Sequence, residues 1–290
     1  MKRAAHRRLN ISPLRYPGGK GALYSRLRQL VRDSGLAGCT YVEPYAGGVG
    51  AGLSLLVTGQ VEHVVINDLD PAIHAFWQYL VRSPDELIDR VLTTPLDVDE
   101  WRRQKEIYSS GQADADALGF ATFFLNRTNR SGVLNGGPIG GLDQTGNYKI
   151  DARFMRDKLA DRIRLLKLYA PNITVCCKDG VDVISEYAGR PGTFIYADPP
   201  YFEKAGSLYM NSFRAEDHES LAQTLNAVAD ASWLLTYDNV QAVHRLYPER
   251  RRQLFELYYS ANGASRASEI AVSSDAMADI DEGWPISASA

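Results

Sequence analysis

Seven short apolar runs punctuate this 290-residue chain, and how they end constrains the fold more than any other feature. Thr40 to Glu43 leads into a glycine-rich loop. His63 to Ile66 is β-branched and stops at Asn67 and Asp68, and Ile173 to Cys176 is similar. Thr193 to Ala197 stops at Asp198, and Trp233 to Thr236 stops at Tyr237 and Asp238. Leu254 to Tyr259 and Glu269 to Val272 are two later candidates. Short, continuously apolar runs of this kind suit strands buried on both faces of a parallel sheet. Helix-compatible stretches lie between them: Gly21 to Arg32, Gly52 to Leu56, Pro71 to Leu80, Phe154 to Tyr169 and Asp217 to Ala231. Strands alternating with helices predict a Rossmann-like, doubly wound α/β sheet.

One region breaks the alternation. Residues 93–165 show helical signals and a glycine-rich loop from Asn126 to Asn147, but no strand followed by a crossover helix. They read as a mainly helical insertion, leaving residues 1–92 and 166–290 to the α/β domain. Charge separates the two parts. Between Trp101 and Lys167 stand 12 Lys or Arg against 7 Asp or Glu, a local balance of +5 in a chain of net charge −3. A basic patch of this kind suits phosphates, although a solvated helix face also produces one. The small, acidic tail from Ser273 onward is expected to be loosely ordered. No apolar run approaches the ~18 residues of a membrane span. No apolar signal core follows the basic N-terminus, so secretion is not expected. The three cysteines, Cys39, Cys176 and Cys177, have neither metal-ligand nor disulfide spacing, which suits a reducing cytoplasm. The five histidines form no cluster.

Two segments carry chemistry. Glu43-Pro44-Tyr45-Ala46-Gly47-Gly48-Val49-Gly50 follows one strand and opens a helix, and glycines there let a backbone approach a ligand closely. Asp68 ends the next strand, where an acid accepts hydrogen bonds from ribose hydroxyls. The pair points to an adenosine-containing cofactor without separating a nicotinamide from S-adenosylmethionine; the plainer reading is a tight turn with Asp68 as a helix cap. The second segment, Asp198-Pro199-Pro200-Tyr201, lies at the carboxyl end of a strand, where open α/β sheets place ligands. Two prolines remove two backbone donors and stiffen the chain. Methylating an aromatic amine requires fixed acceptors, because the nitrogen becomes tetrahedral and gains positive charge in the transition state. A carboxylate and a backbone carbonyl supply them, and a flat ring stacks on the base. The plainer alternative is a strand end capped by prolines.

With these residues in hand, the chain resembles the D12 class of N6-adenine DNA methyltransferases, the Dam-like family, in order from about residue 12 to about residue 240. Arg15-Tyr16-Pro17-Gly18-Gly19-Lys20 resembles the N-terminal aromatic-x-Gly-Gly-Lys motif. Glu43 to Gly50 resembles the cofactor loop and Asn67-Asp68 the ribose-binding acid. Asn126-Arg127 with Ser131-Gly132 resembles the signature of the recognition insertion, and Asp198 to Tyr201 the catalytic tetrapeptide.

The resemblance implies S-adenosylmethionine as cofactor. It implies that Tyr16 packs on the cofactor adenine and Lys20 binds near its methionine end, with Glu43, Gly47, Asp68 and Asp198 completing that site. Asp198, Pro199, Pro200 and Tyr201 then serve the target amine, and Asp238 and Asn239 line the pocket. Double-stranded DNA is the expected partner, met by Asn126, Arg127, Arg130 and Lys149, with the adenine flipped out of the duplex. A cognate restriction enzyme is a candidate partner, and a monomer suffices for the chemistry. Val49 interrupts the glycines of the cofactor loop. Val133-Leu134-Asn135-Gly136-Gly137 lacks the arginine that GATC-specific members carry, so the target sequence stays open. Cytosine-N4 methyltransferases usually have serine, and protein glutamine methyltransferases asparagine, where Asp198 stands. An oxidoreductase would have no use for the tetrapeptide, and a deaminase would need zinc-ligand spacing absent here. A DNA-binding relative with a lost active site is the alternative from a different class.

Overall fold

Five of the apolar runs pair in parallel in the computed structural model, which describes residues 10–15, 20–202, 213–259, 265–280 and 284. They are β1 (Thr40–Glu43), β2 (His63–Asn67), β3 (Ile173–Cys176), β4 (Thr193–Ala197) and β5 (Trp233–Asp238). The last two runs, β6 (Arg251–Tyr259) and β7 (Ser265–Ser273), form an antiparallel hairpin whose second strand inserts beside β5. The sheet order is therefore β3-β2-β1-β4-β5-β7-β6. The chain winds outward in both directions from the β1–β4 boundary, so this is the topological switch point where a doubly wound sheet opens a crevice. The Rossmann-like arrangement read from the sequence is the one observed.

Side chains alternate strictly between the two faces, as the pleat requires. Tyr41, Val64, Ile66, Phe194, Tyr196, Leu234 and Ala271 belong to one core. Val42, Val65, Ile195, Ala197, Trp233, Leu235, Tyr237, Ile270 and Val272 belong to the other. Helices α1 (Tyr24–Asp33), α2 (Gly50–Val57) and α3 (Pro71–Arg82) cover the first face. Helices α8 (Gly180–Ala188), α9 (Ala215–Ala227) and α10 (Gln241–Leu246) cover the second. The period-2 rule also places Glu43, Asp198 and Asp238, at the ends of β1, β4 and β5, on the first face, with Glu269 on the same face of β7.

Between β2 and β3 the chain adds α4 (Pro84–Thr93), α5 (Val98–Ser110), α6 (Ala115–Thr128) and α7 (Arg156–Lys167). Asp97 and Asp114 cap α5 and α6 by accepting backbone N–H bonds of the first turn. Residues 93–165 do not stand apart from the sheet. Phe120, Phe123 and Phe124 of α6 and Phe154 join one continuous apolar cluster with Phe76 and Trp77 of α3. Phe123 stacks on Phe76 with ring centroids 5.6 Å apart and meets Phe154 edge-on at 5.5 Å. Gly119 is required at this seam, because a Cβ there would lie 2.6 Å from the Ala75 carbonyl oxygen.

The expectation of a loose tail is corrected for residues 273–280 and 284; residues 281–283 and 285–290 lie outside the described residues. Ser273, Ser274, Met277, Ile280 and Trp284 are all buried. Trp284 packs on Phe255 with centroids 4.6 Å apart, beneath the Arg26 guanidinium at 5.5 Å. Spaced apolar residues in an otherwise small and acidic stretch are enough to pin it. Among the described residues no helix is long and apolar enough to cross a membrane.

Candidate active site

The β1–α2 loop is shaped by left-handed backbone at two points. Gly47 has φ 49° and Val49 φ 47°. For glycine this conformation costs little, whereas for a branched residue it stores about 1–2 kcal/mol of strain. Val49 is nonetheless buried, and its N–H donates to the Ala46 carbonyl at 3.0 Å. Gly47 holds the loop in place: its N–H donates to Asp68 Oδ2 at 2.9 Å, and its carbonyl accepts from Trp77 Nε1 at 2.9 Å. The other oxygen of Asp68 accepts from the Asp70 N–H at 3.0 Å. Burial pushes the Asp68 carboxyl up to about 6, against the pull of these two N–H donors. Asn67 ties three strand ends together, donating to the Pro44 and Lys178 carbonyls at 2.8 and 3.0 Å and accepting from Lys178 N–H at 2.9 Å. Glu43 lies beneath α2 and accepts the Gly52 N–H at 3.3 Å. Burial pushes its carboxyl up to about 8. Gly52 permits that approach, since a Cβ there would fall 2.7 Å from the Tyr41 ring and 3.0 Å from Glu43 Oε1.

Across the switch point, Asp198 is held from one side. Its Oδ1 accepts from Thr236 Oγ1 at 2.8 Å and from the Tyr201 hydroxyl at 3.3 Å, and lies 3.3 Å from Lys20 Nζ. Because the Thr236 proton goes to Asp198, the Tyr196 hydroxyl, 2.8 Å away, is the donor between these two hydroxyls. All three contacts fall on Oδ1. Among the described residues nothing bonds to Oδ2, and the side chain keeps 23% exposure. Lys20 Nζ also donates to the Tyr201 hydroxyl at 2.5 Å and to Glu269 Oε2 at 3.0 Å. Burial raises the carboxyls of Asp198 and Glu269, which the Lys20 ammonium counteracts; the two carboxylates in turn outweigh burial at Lys20 and raise it. Asp238 accepts the Phe202 N–H at 3.2 Å and so fixes the chain just beyond the tetrapeptide. Asn239 turns away, to Ser268 and His244. Phe202 stacks on His218 at 3.6 Å, and Tyr237 lies beside both. Burial lowers His218, which leaves it a neutral, aromatic part of this wall.

The residues assigned to the insertion divide. Asn126 is buried, and its amide is committed to backbone: Oδ1 accepts Arg15 N–H at 2.7 Å, and Nδ2 donates to the Arg15 and Gly132 carbonyls at 2.6 and 3.0 Å. Ser131 and Gly132 both have positive φ, and a Cβ on Gly132 would lie 2.7 Å from the Arg15 carbonyl oxygen. Asn126 and Gly132, one from each pair, therefore clasp the backbone of Arg15. Tyr16 itself lies outside the described residues. Arg127 is only 5% exposed, and no acceptor among the described residues bonds to its guanidinium. Burial, reinforced by Arg162, Arg15 and Arg153, brings it down to about 9. Arg130 is exposed. Lys149 is exposed too and donates to the Gln144 carbonyl at 2.5 Å. Lys20, Tyr201 and Asp198 thus converge in one place; Asp68, Gly47 and Glu43 line the neighbouring loop. Thr236, Glu269, Arg153 and Arg162 were not picked out from the sequence. Glu269 and Thr236 lie inside strands, where no local pattern marks them. Among the described residues no cluster of His, Cys, Asp or Glu is placed to hold a metal ion.

A glycine loop and acid at one side of the switch point, with an Asp-Pro-Pro-Tyr strand end at the other, define a Rossmann-like methyltransferase. Residues 16–261 match the family model of the D12 class N6 adenine-specific DNA methyltransferases, and the chain belongs to that family. No curated protein matches it. Among solved structures, a candidate RNA methyltransferase from Pyrococcus horikoshii superposes with a TM-score of 0.43 at 12% identity, covering 90% of this chain and 86% of that one. Membership makes this an adenine-specific DNA methyltransferase, with DNA as substrate and a methyl donor as co-substrate.

Asn126→Ala removes three hydrogen bonds to backbone, one buried and two partly buried. It is expected to lower stability by about 3 kcal/mol, read by urea denaturation, and to speed amide exchange at Arg15, whose N–H loses its acceptor.

Proposed function

We propose that the methyl donor is S-adenosylmethionine, seated over the β1–α2 loop, and that the target is an adenine flipped from double-stranded DNA into the crevice beside Asp198. The loop fits an adenosine-containing molecule. Asp68 is anchored by one backbone bond to each oxygen, so both keep a lone pair for ribose hydroxyls. Leu69, 50% exposed beside it, offers an apolar surface to a base. Glu43 and Gly47 hold the loop, and Lys20, beside Asp198 at the switch point, would meet the methionine end of the donor. When bound, the sulfonium supplies a methyl group on a good leaving group.

The chain's own contribution is the acceptor. The observation that carries this reading is the one-sided bonding of Asp198. With Oδ1 saturated, Oδ2 is left to take a hydrogen bond from adenine N6, and the Pro199 carbonyl is a second acceptor on a strand end that Pro200 stiffens. Acceptors at both protons favour the tetrahedral, positively charged nitrogen of the transition state. Tyr201, whose hydroxyl is committed to Lys20 and Asp198, presents its ring to the base.

Residues 93–165 are assigned to DNA recognition. A buried cation without an acceptor is costly, and Arg127 is one, set among Arg15, Arg153 and Arg162. A backbone phosphate supplies the missing acceptors and charge. Arg130 and Lys149, on the exposed loop, then reach bases and phosphates, arginine being suited to a guanine edge. A single copy of the chain completes this arrangement, and nothing in it requires a restriction enzyme to be present.

The purified protein, incubated with unmethylated bacterial DNA and S-adenosylmethionine, is expected to yield N6-methyladenine on mass spectrometry of the nucleosides, and Asp198→Ala none. N4-methylcytosine instead would overturn the target. The Asp68 carboxyl accepts from both ribose hydroxyls, one on each oxygen, only when ionised. S-Adenosylmethionine affinity measured by calorimetry should therefore weaken as the pH falls from about 7.5 through about 6 to 5. Asp68→Asn should bind weakly with that dependence flattened. Arg127→Met should raise the thermal midpoint of the free protein, yet weaken duplex binding and reduce its salt slope by about 1; unchanged DNA affinity would remove Arg127 from the interface.

A further inference from the structure

One buried acid is not used by this chemistry. Glu269 lies on β7, beyond the residues that match the family model, opposite Asp238 in the β5–β7 ladder. It is completely buried. A carboxylate in that position is costly unless a cation meets it. Lys20 Nζ does so at 3.0 Å, and the same ammonium stands 3.3 Å from Asp198 Oδ1 and 2.5 Å from the Tyr201 hydroxyl. One ammonium is therefore divided between two carboxylates.

We infer that Glu269 is a positioning residue for methyl transfer: by holding the far side of Lys20 it fixes the ammonium against Asp198 Oδ1 and the Tyr201 hydroxyl, and keeps the negative charge of Asp198 from being fully cancelled. Two consequences follow from the geometry. First, Lys20 stays on Oδ1, the oxygen that Thr236 already holds, so Oδ2 keeps its aim into the crevice. A lysine freed from Glu269 can swing across to Oδ2 and occupy the substrate's acceptor. Second, a private Lys20–Asp198 pair would present a neutral wall to a nitrogen that is becoming positive. A shared Lys20 leaves the wall anionic, which favours the transition state over the uncharged amine. Glu269 touches no reacting atom in this scheme, so its effect falls on turnover rather than on binding.

This rests on the proposed role of Asp198, and the tests are separable. N6-methyladenine formation by wild type, and its loss in Asp198→Ala, decide that role first. On the same unmethylated bacterial DNA with saturating S-adenosylmethionine, Glu269→Gln keeps the shape and removes the charge. It is expected to lower kcat about 10- to 100-fold, less than loss of a group acting directly, while S-adenosylmethionine affinity by calorimetry and the KM for DNA stay within about threefold. Glu269→Asp, which keeps the charge, should recover most of kcat. A Glu269→Gln enzyme within twofold of wild-type kcat overturns the inference. So does a loss carried wholly by cofactor affinity, which would make Glu269 part of the donor site. If the glutamine variant does not hold its thermal midpoint, the aspartate variant decides alone: kcat within about threefold of wild type supports the role of the charge, and a loss of tenfold or more rejects it.

Discussion

An ammonium buried between two carboxylates is the interaction on which the catalytic edge of the sheet depends. Lys20 comes from the N-terminal segment, Asp198 from β4 and Glu269 from the β6–β7 hairpin, so three distant parts of the chain meet at one nitrogen. None of the three side chains is tolerable there alone, because burying a lone charge costs several kcal/mol. Together they tie Lys20, the end of β4 and the β6–β7 hairpin to one another, with Glu269 facing Asp198 across the ammonium. The Tyr196–Thr236–Asp198 chain of hydroxyls completes the fixing from below. What results is a carboxylate rigid on one oxygen and available on the other.

The second dependency is the clasp at the end of α6. Asn126 holds both the N–H and the carbonyl of Arg15, and Gly132 leaves room for that backbone to pass. Arg15 is thus fastened to the end of α6, and Lys20 to the carboxylates of Asp198 and Glu269. The signature of the insertion is explained first by this mechanical role. Its asparagine is not exposed, and its arginine is a buried cation that lacks an acceptor among the described residues.

The sheet was legible because its strands are short and apolar, and four of them close on a polar side chain that binds a neighbouring segment, namely Glu43, Asn67, Asp198 and Asp238. Which side chains share a face became legible only once the strands were paired. The tail was misread because composition was averaged over it, whereas Met277, Ile280 and Trp284 act as three separate anchors. Glu269 and Thr236 were invisible for a different reason. An acid or hydroxyl inside a strand has no local signature; its meaning comes from the strand placed next to it, and β7 reaches Asp238 only by returning antiparallel. The arginine group was hidden in the same way. Arg15, Arg127, Arg153 and Arg162 come from four segments, and no spacing links them.

The shared core of α3 and α6 has a consequence for how target preference can change in evolution. Because Phe120, Phe123, Phe124 and Gly119 are locked into the packing of the catalytic half, the helical part of residues 93–165 cannot be exchanged as a cassette without reopening that core. The freedom lies in the loop between Gly132 and Ile150, which closes on itself through Gln144, whose side chain donates to the Ile139 and Gly141 carbonyls and accepts the Ile150 N–H. Such a self-braced loop can be lengthened, shortened or rewritten at its tip while the clasp beneath it stays intact. On the proposed assignment of residues 93–165 to DNA recognition, diversification of sequence preference concentrates in this one contiguous stretch.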